Sequence, residues 1–273
     1  MYPTVFGDDN MIIKEEIMIH ELPTQDMRRL YIYLPPEYEY SDEYYPVLYM
    51  FDGHNVFYDR DATYGKSWGM EKYLQRANPA LIIVAVECNH EGNRRLSEYS
   101  PWDFDFKSSG FIEGCGRIYM DWLINELKPW IDHEFRTKAG RESTFICGSS
   151  MGGLMSVYAV TAYNHVFSKA AALSPSLWVA PNDVNQMIRD TNFMLPTQVY
   201  MSYGSEEMGN HKRIRNALKK ASGSLMDRGV YVCMHIVPGG QHCEACWEQQ
   251  VPMFMECLDI KNRPVRRRKR NMR

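Results

Sequence analysis

The sequence predicts an α/β protein with about eight strands in a mostly parallel sheet and helices on both faces. Three observations carry that expectation. Apolar, β-branched runs recur along the chain, with helical patterns between the later ones, and that alternation builds parallel sheets. Two of the runs, YPVLYMF at 45–51 and ALIIVAVE at 80–87, are almost uninterrupted, as in strands covered on both faces. No internal repeat, low-complexity linker or composition break occurs before residue 261, so one domain over 1–260 is the simplest reading.

Taken in order, 11–20 and 30–34 read as the first two strands, joined through LPTQDM as an antiparallel opening. The runs at 45–51 and 80–87 are the third and fourth. TFIC at 144–147, the segment 169–173, QVYMSY at 198–203 and VYVCMHIV at 230–237 complete the eight. Residues 117–133 set Ile118, Trp122, Leu123, Leu127 and Ile131 at three- and four-residue spacing, an amphipathic helix that Pro129 kinks near its end. Further helices are expected at 151–163, 210–226 and 245–258, with Gly229 as a stop after the second of these.

Charge and composition remove several functions. The chain has 31 basic and 34 acidic residues, net −3. Eight of the basic residues lie in 261–273, which holds no acid, so residues 1–260 carry 23 basic and 34 acidic residues, or −11. An acidic body lacks the basic face that a nucleic-acid partner needs. The like-charge end reads as a solvated, disordered tail without a part in the chemistry. No apolar stretch of roughly 18 residues predicts a membrane span, and the start lacks the pattern of a secretory signal. Seven cysteines spread through the chain read as reduced thiols in a cytoplasmic protein. Oligomeric state is left open, a homo-oligomer included.

The sharpest motif is Gly148-Ser149-Ser150-Met151-Gly152, a G-x-S-x-G sequence. A strand runs into it and a helix runs out, so Ser150 is expected at the tip of a strained turn as a nucleophile. The amide of Met151, opening the helix, can donate to an oxyanion. Serine needs a base. The order serine, acid, histidine leaves His165, His211, His235 and His242. His165 is too close to the serine, His211 begins a helix, and His235 lies within the last strand. His242 follows that strand in a loop at its carboxyl end, where a base belongs. The acid is expected in the loop after 198–203, where Glu206 and Glu207 both qualify. A second oxyanion donor should come from the loop after the third strand, as the His54 amide beside Gly53, with Asn55 near the substrate.

These residues, with the segments YPVLYMFDGHNVF, RLSEYSPW, ICGSSMGGL, YGSEE and GGQHCEACWEQQVPMF, resemble the esterase D–like family of α/β-hydrolases. The resemblance spans roughly residues 12–258. It implies an α/β-hydrolase fold, a Ser-acid-His triad and hydrolysis of a small-molecule carboxylic ester without a cofactor or metal. It prefers Glu207 to Glu206 as the acid, and the pairing of His242 with Trp247 is similar to the family pattern. Secreted feruloyl esterases of the family usually carry His-Gly at the end of the third strand, where this chain has Asp52 and Gly53. Esters of sugars, aromatic acids or trilactone siderophores all fit the resemblance, and acyl transfer shares its chemistry. A catalytically idle binding protein is the reading from another class, and a retained Ser, Glu and His argues against it.

Other signals are less specific. Cys243 and Cys246 form a lone C-x-x-C, more simply two thiols than a metal site. Arg94, Arg95, Glu98 and Tyr99 follow the fourth strand. An arginine there either holds a substrate anion or ties the loop, to Glu98 for instance. Trp68, Trp102 and Trp178 line a pocket or pack the core. Arg94, Tyr99, Trp68, Trp178 and Asn55 are the expected substrate contacts.

Overall fold

The computed structural model describes residues 12–23, 26–106, 109–209 and 212–264. Its strands are β1 (Ile12–Met18), β2 (Met27–Tyr33), β3 (Val47–Phe51), β4 (Ile82–Val86), β5 (Phe104–Phe106), β6 (Gly110–Ile112), β7 (Thr144–Ser149), β8 (Lys169–Leu173), β9 (Gln198–Gly204) and β10 (Tyr231–Val237). Eight of them form one sheet in the order β1-β2-β4-β3-β7-β8-β9-β10, and β5 and β6 form a separate hairpin. β1–β2 and β2–β4 are antiparallel, and the remaining pairs of the large sheet are parallel. All eight expected strands are present. The short hairpin escaped the sequence reading because three residues per strand show no period.

The helices are α1 (Met70–Ala77), α2 (Arg94–Glu98), α3 (Gly116–Trp122), α4 (Lys128–Glu134), α5 (Met151–Ala162), α6 (Pro181–Asp190), α7 (Lys212–Asp227), α8 (Glu244–Glu248) and α9 (Val251–Cys257). Side chains of β3 alternate between two cores: Val47, Tyr49 and Phe51 enter one, Leu48 and Met50 the other. Tyr119, Ile131, Leu154, Val184 and Leu218 close the first from α3 to α7. Leu74 of α1 and Phe254 of α9 close the second, so helices do cover both faces. α5 is buried from Met151 to Thr161, which explains why its sequence carries no polar face.

Two expected helices are divided. The helix expected at 117–133 holds a widened five-residue turn over Leu123–Leu127 between α3 and α4. Pro129 has no N–H to return to Asn125, and the turn widens just before it. The helix expected at 245–258 breaks between α8 and α9, where Pro252 starts a new first turn. Gln250 at the break is fully buried and satisfied, accepting from the Tyr200 hydroxyl at 3.1 Å and donating to the Cys246 carbonyl at 3.1 Å.

The basic end needs one correction. Residues 265–273 lie outside the described residues. The three before Pro264 pack against the body, because the Lys261 carbonyl accepts from Ala80 N–H at 3.1 Å and Arg263 N–H donates to the Asn78 carbonyl at 3.0 Å. The side chain of Arg263 also pairs with Glu43. No helix among the described residues is long and apolar enough to cross a membrane.

Candidate active site

β7 ends at Ser149 and α5 begins at Met151, so Ser150 occupies the turn alone, at φ 56° and ψ −119°. That region is costly for a residue with a side chain and persists only where the surroundings hold it. Here they do: Ser150 N–H donates to the Leu173 carbonyl at 3.0 Å, and Ser176 and Leu154 N–H groups donate to the Ser150 carbonyl at 2.9 and 3.0 Å. Gly148 allows the turn to close, because a Cβ there would lie 2.6 Å from the backbone of Gly152.

His242 lies in the loop after β10, and its Nε2 is 2.9 Å from Ser150 Oγ. Its Nδ1 is 3.2 Å from Glu207 Oε2. Glu207 is 2% exposed, whereas Glu206 points to solvent, so burial separates the two neighbouring acids. The other oxygen of Glu207 accepts from Gly204 N–H at 2.9 Å and from the Ser174 hydroxyl. Ser174 in turn accepts from the Trp247 indole N–H at 3.0 Å, and the Trp247 ring stands edge-on to His242 with centroids 5.2 Å apart. One carboxylate oxygen is thus held by two donors, which leaves the other to face the imidazole. Ser174 was not foreseen. It follows β8 with φ 45°, and nothing in the segment LSPS announces that position.

Of the other histidines considered, His165 is exposed beyond α5, His235 lies on the edge strand β10, and His211 is outside the described residues. The C-x-x-C thiols are both free, Cys246 buried and Cys243 half-buried.

The turn after β3 brings His54 to the same edge of the sheet. Asp52 enters it at φ 56°, and Asn55 and Val56 N–H groups close it onto the Asp52 and Gly53 carbonyls at 2.8 and 3.2 Å. The His54 amide takes no part in those two bonds. Gly53 lies so close to β4 that a Cβ would be 2.5 Å from the Ala85 carbonyl oxygen. The buried carboxylate of Asp52 is gripped by Arg95, Nε to Oδ1 at 2.6 Å and the terminal NH2 nitrogen to Oδ2 at 2.7 Å. Burial alone would raise the Asp52 pKa, but the guanidinium overrides it and holds the group below its ordinary value. The His54 ring is buried as well, and desolvation lowers its pKa to about 4, so it is neutral at pH 7.

The expected substrate contacts divide. Tyr99 is fully buried and its hydroxyl accepts from Asp52 N–H at 3.1 Å, so it supports the turn from within. Trp68 is buried against Trp247 and Phe254, with centroids 6.0 and 6.2 Å away. Arg94 points outward to Glu91 at 2.5 Å, and Arg95 is the loop's structural arginine. Glu98 pairs with neither but with Arg28 from β2, at 2.5 Å. Asn55 is half-buried, its Oδ1 accepting from Thr63 N–H at 3.0 Å. Ser176 Oγ is 3.4 Å from Ser150 Oγ, and Trp178, two residues on, is half-buried against Phe106 of the β5–β6 hairpin. Trp102 packs edge-on to Tyr158 at 5.7 Å.

The sequence profile of the family described as "Putative esterase" matches residues 23–255. "Uncharacterized protein YbbA" of Bacillus subtilis is 29% identical over 246 residues, 86% of this chain and 94% of its own. The solved structure of an IroE-like serine hydrolase from Shewanella oneidensis aligns with a TM-score of 0.71 at 21% identity, over 90% of this chain and 78% of that one. An enterobactin esterase from Shigella flexneri aligns at 0.66 and 17% identity, over 90% of this chain and 58% of that longer one. The structural likeness is one of fold, that of the α/β-hydrolases.

Proposed function

The chain belongs to the "Putative esterase" family of carboxylic ester hydrolases, and we propose that Ser150, His242 and Glu207 are its nucleophile, general base and orienting acid. The continuous path from Ser150 Oγ through the His242 ring to the doubly held Glu207 carboxylate is the observation that carries this reading. Ser150 Oγ attacks the ester carbonyl while His242 Nε2 takes its proton. Glu207 stabilises the resulting imidazolium and keeps Nδ1–H turned toward itself. The amides of Met151 and His54 receive the oxyanion. As the tetrahedral species collapses, the C–O bond breaks and His242 returns its proton to the departing alcohol. An acyl-Ser150 remains, and a water activated by the same imidazole releases the acid.

For the substrate, we assign an aromatic wall to the half-buried Trp178 and Phe106, whose rings pack together two residues beyond Ser176 in the segment that reaches Ser150. That supports esters with an aromatic acyl or alcohol part over small acetylated sugars. The test is Ser150→Ala assayed on p-nitrophenyl acetate, with fluorophosphonate labelling of the parent protein. The variant should lose turnover by on the order of 10⁶-fold, and label should appear on Ser150. Full turnover in the variant, or label elsewhere, refutes the assignment. A panel of methyl ferulate, a trilactone siderophore and acetylated oligosaccharides then ranks substrates, and a preference for the oligosaccharides would contradict the aromatic wall.

A further inference from the structure

We propose that His54, Cys88 and His90 form a binding site for a borderline-soft divalent cation, Zn²⁺ above all, in the wall of the candidate active site. One ligand atom from each residue lies within 4.8 Å of the others. His54 belongs to the turn after β3, while Cys88 and His90 follow β4. Those strands are parallel neighbours with Phe51 opposite Val86, so the two loops leave the sheet side by side. The imidazoles of His54 and His90 meet edge-on with centroids 4.4 Å apart.

A second observation points independently to a ligand. His54 is 2% exposed, and its Nε2 lies 3.0 Å from the Thr63 hydroxyl, yet its Nδ1 is buried with no hydrogen-bond partner among the described residues. A ring nitrogen left in that state forfeits a bond that buried polar groups ordinarily make. A cation would supply it. His90 is already oriented for the task, because its Nε2 pairs with Glu87 Oε1 at 3.0 Å, which leaves Nδ1 free to ligate. Cys88 adds a buried sulfur, and its thiol proton passes to solvent as the metal–sulfur bond forms. Two imidazoles and one thiolate suit Zn²⁺ and disfavour Mg²⁺ and Ca²⁺, with water completing four ligands. The exposed ring of His90 gives entry from solvent.

Occupancy would clamp the β3 turn and with it the His54 amide, so zinc should slow turnover. That consequence rests on the oxyanion reading above, whereas binding does not. The test uses the full chain, freed of metal with a chelator. Calorimetric titration with ZnCl₂ should show one equivalent bound. Titration with CoCl₂ should give a thiolate-to-cobalt charge-transfer band that Cys88→Ser abolishes. His90→Ala removes only an exposed ring, and it should keep basal turnover and weaken zinc binding by about 10-fold or more. Zinc should inhibit p-nitrophenyl acetate hydrolysis over the range in which it binds, and His90→Ala should shift that range by the same factor. No binding at micromolar zinc, or equal affinity in parent and His90→Ala, overturns the site. Binding as expected with turnover unmoved leaves the site standing and overturns the role given to the His54 amide.

Discussion

Replacing Arg95 with Met tests how the oxyanion turn is held. The substitution conserves most of the side chain's length but removes both bonds to Asp52, at 2.6 and 2.7 Å. A carboxylate whose side chain is 6% exposed then stands without its partner. Removing one member of a buried pair costs about 3–5 kcal/mol, because the surviving charge is left uncompensated. The Arg95 side chain is itself 29% exposed, so water can reach the vacated space and the cost falls to about 2–4 kcal/mol. For a chain of this size each kcal/mol lowers Tm by about 2 °C, so calorimetry should record a fall of about 4–8 °C. Asp52 enters the turn that presents the His54 amide, and kcat on p-nitrophenyl acetate should drop about 10- to 100-fold as that amide loses its position. Adding Asp52→Asn should restore most of the lost Tm, since asparagine carries no charge and tolerates the φ of 56°. Refutation would be an Arg95→Met protein within about 1 °C of the parent in Tm and equal in kcat, or a double variant no more stable than the single one.

Two substitutions probe the rest of the machinery. Glu207→Gln keeps the shape of the buried acid but loses the negative charge facing His242 Nδ1. It should lower kcat by on the order of 10⁴-fold with little change in KM, and steady-state kinetics at saturating substrate would read it. Gly148→Ala places a methyl 2.6 Å from the Gly152 backbone at the base of the elbow. The turn must open to admit it, so Tm should fall by the equivalent of about 1–3 kcal/mol and fluorophosphonate labelling of Ser150 should slow. An unchanged labelling rate would show that the elbow has slack.

What the sequence disclosed follows the range over which each feature is built. The elbow around Ser150 is made within six residues, strand, turn and helix together, and it was legible as a string. The parallel strands β3, β4, β7, β8 and β9 were legible because each buries a run of apolar residues long enough to show, and β10 because its apolar run persists although its residues stay half-buried or exposed at the sheet edge. Glu207 against Glu206 was not decidable from spacing alone, because the choice depends on which carboxylate turns inward toward Ser174 and Gly204, groups contributed by the ends of β8 and β9. The pair of Asp52 with Arg95 shows the same limit more sharply. Both residues were noticed, yet Arg95 has an acid three residues away in Glu98, and proximity along the chain favoured that partner. In the fold, α2 turns Glu98 back toward Arg28 of β2 and sends Arg95 forward to Asp52 after β3. Cys88 and His90 likewise carry no signal beyond two residues' spacing, because the third ring, His54, arrives from an adjacent strand 34 positions earlier in the chain. Side chains that meet across parallel strands are separated by a whole crossover, so local pattern cannot pair them. A parallel sheet therefore exposes its nucleophile to sequence reading while concealing the groups that hold the nucleophile's partners in place.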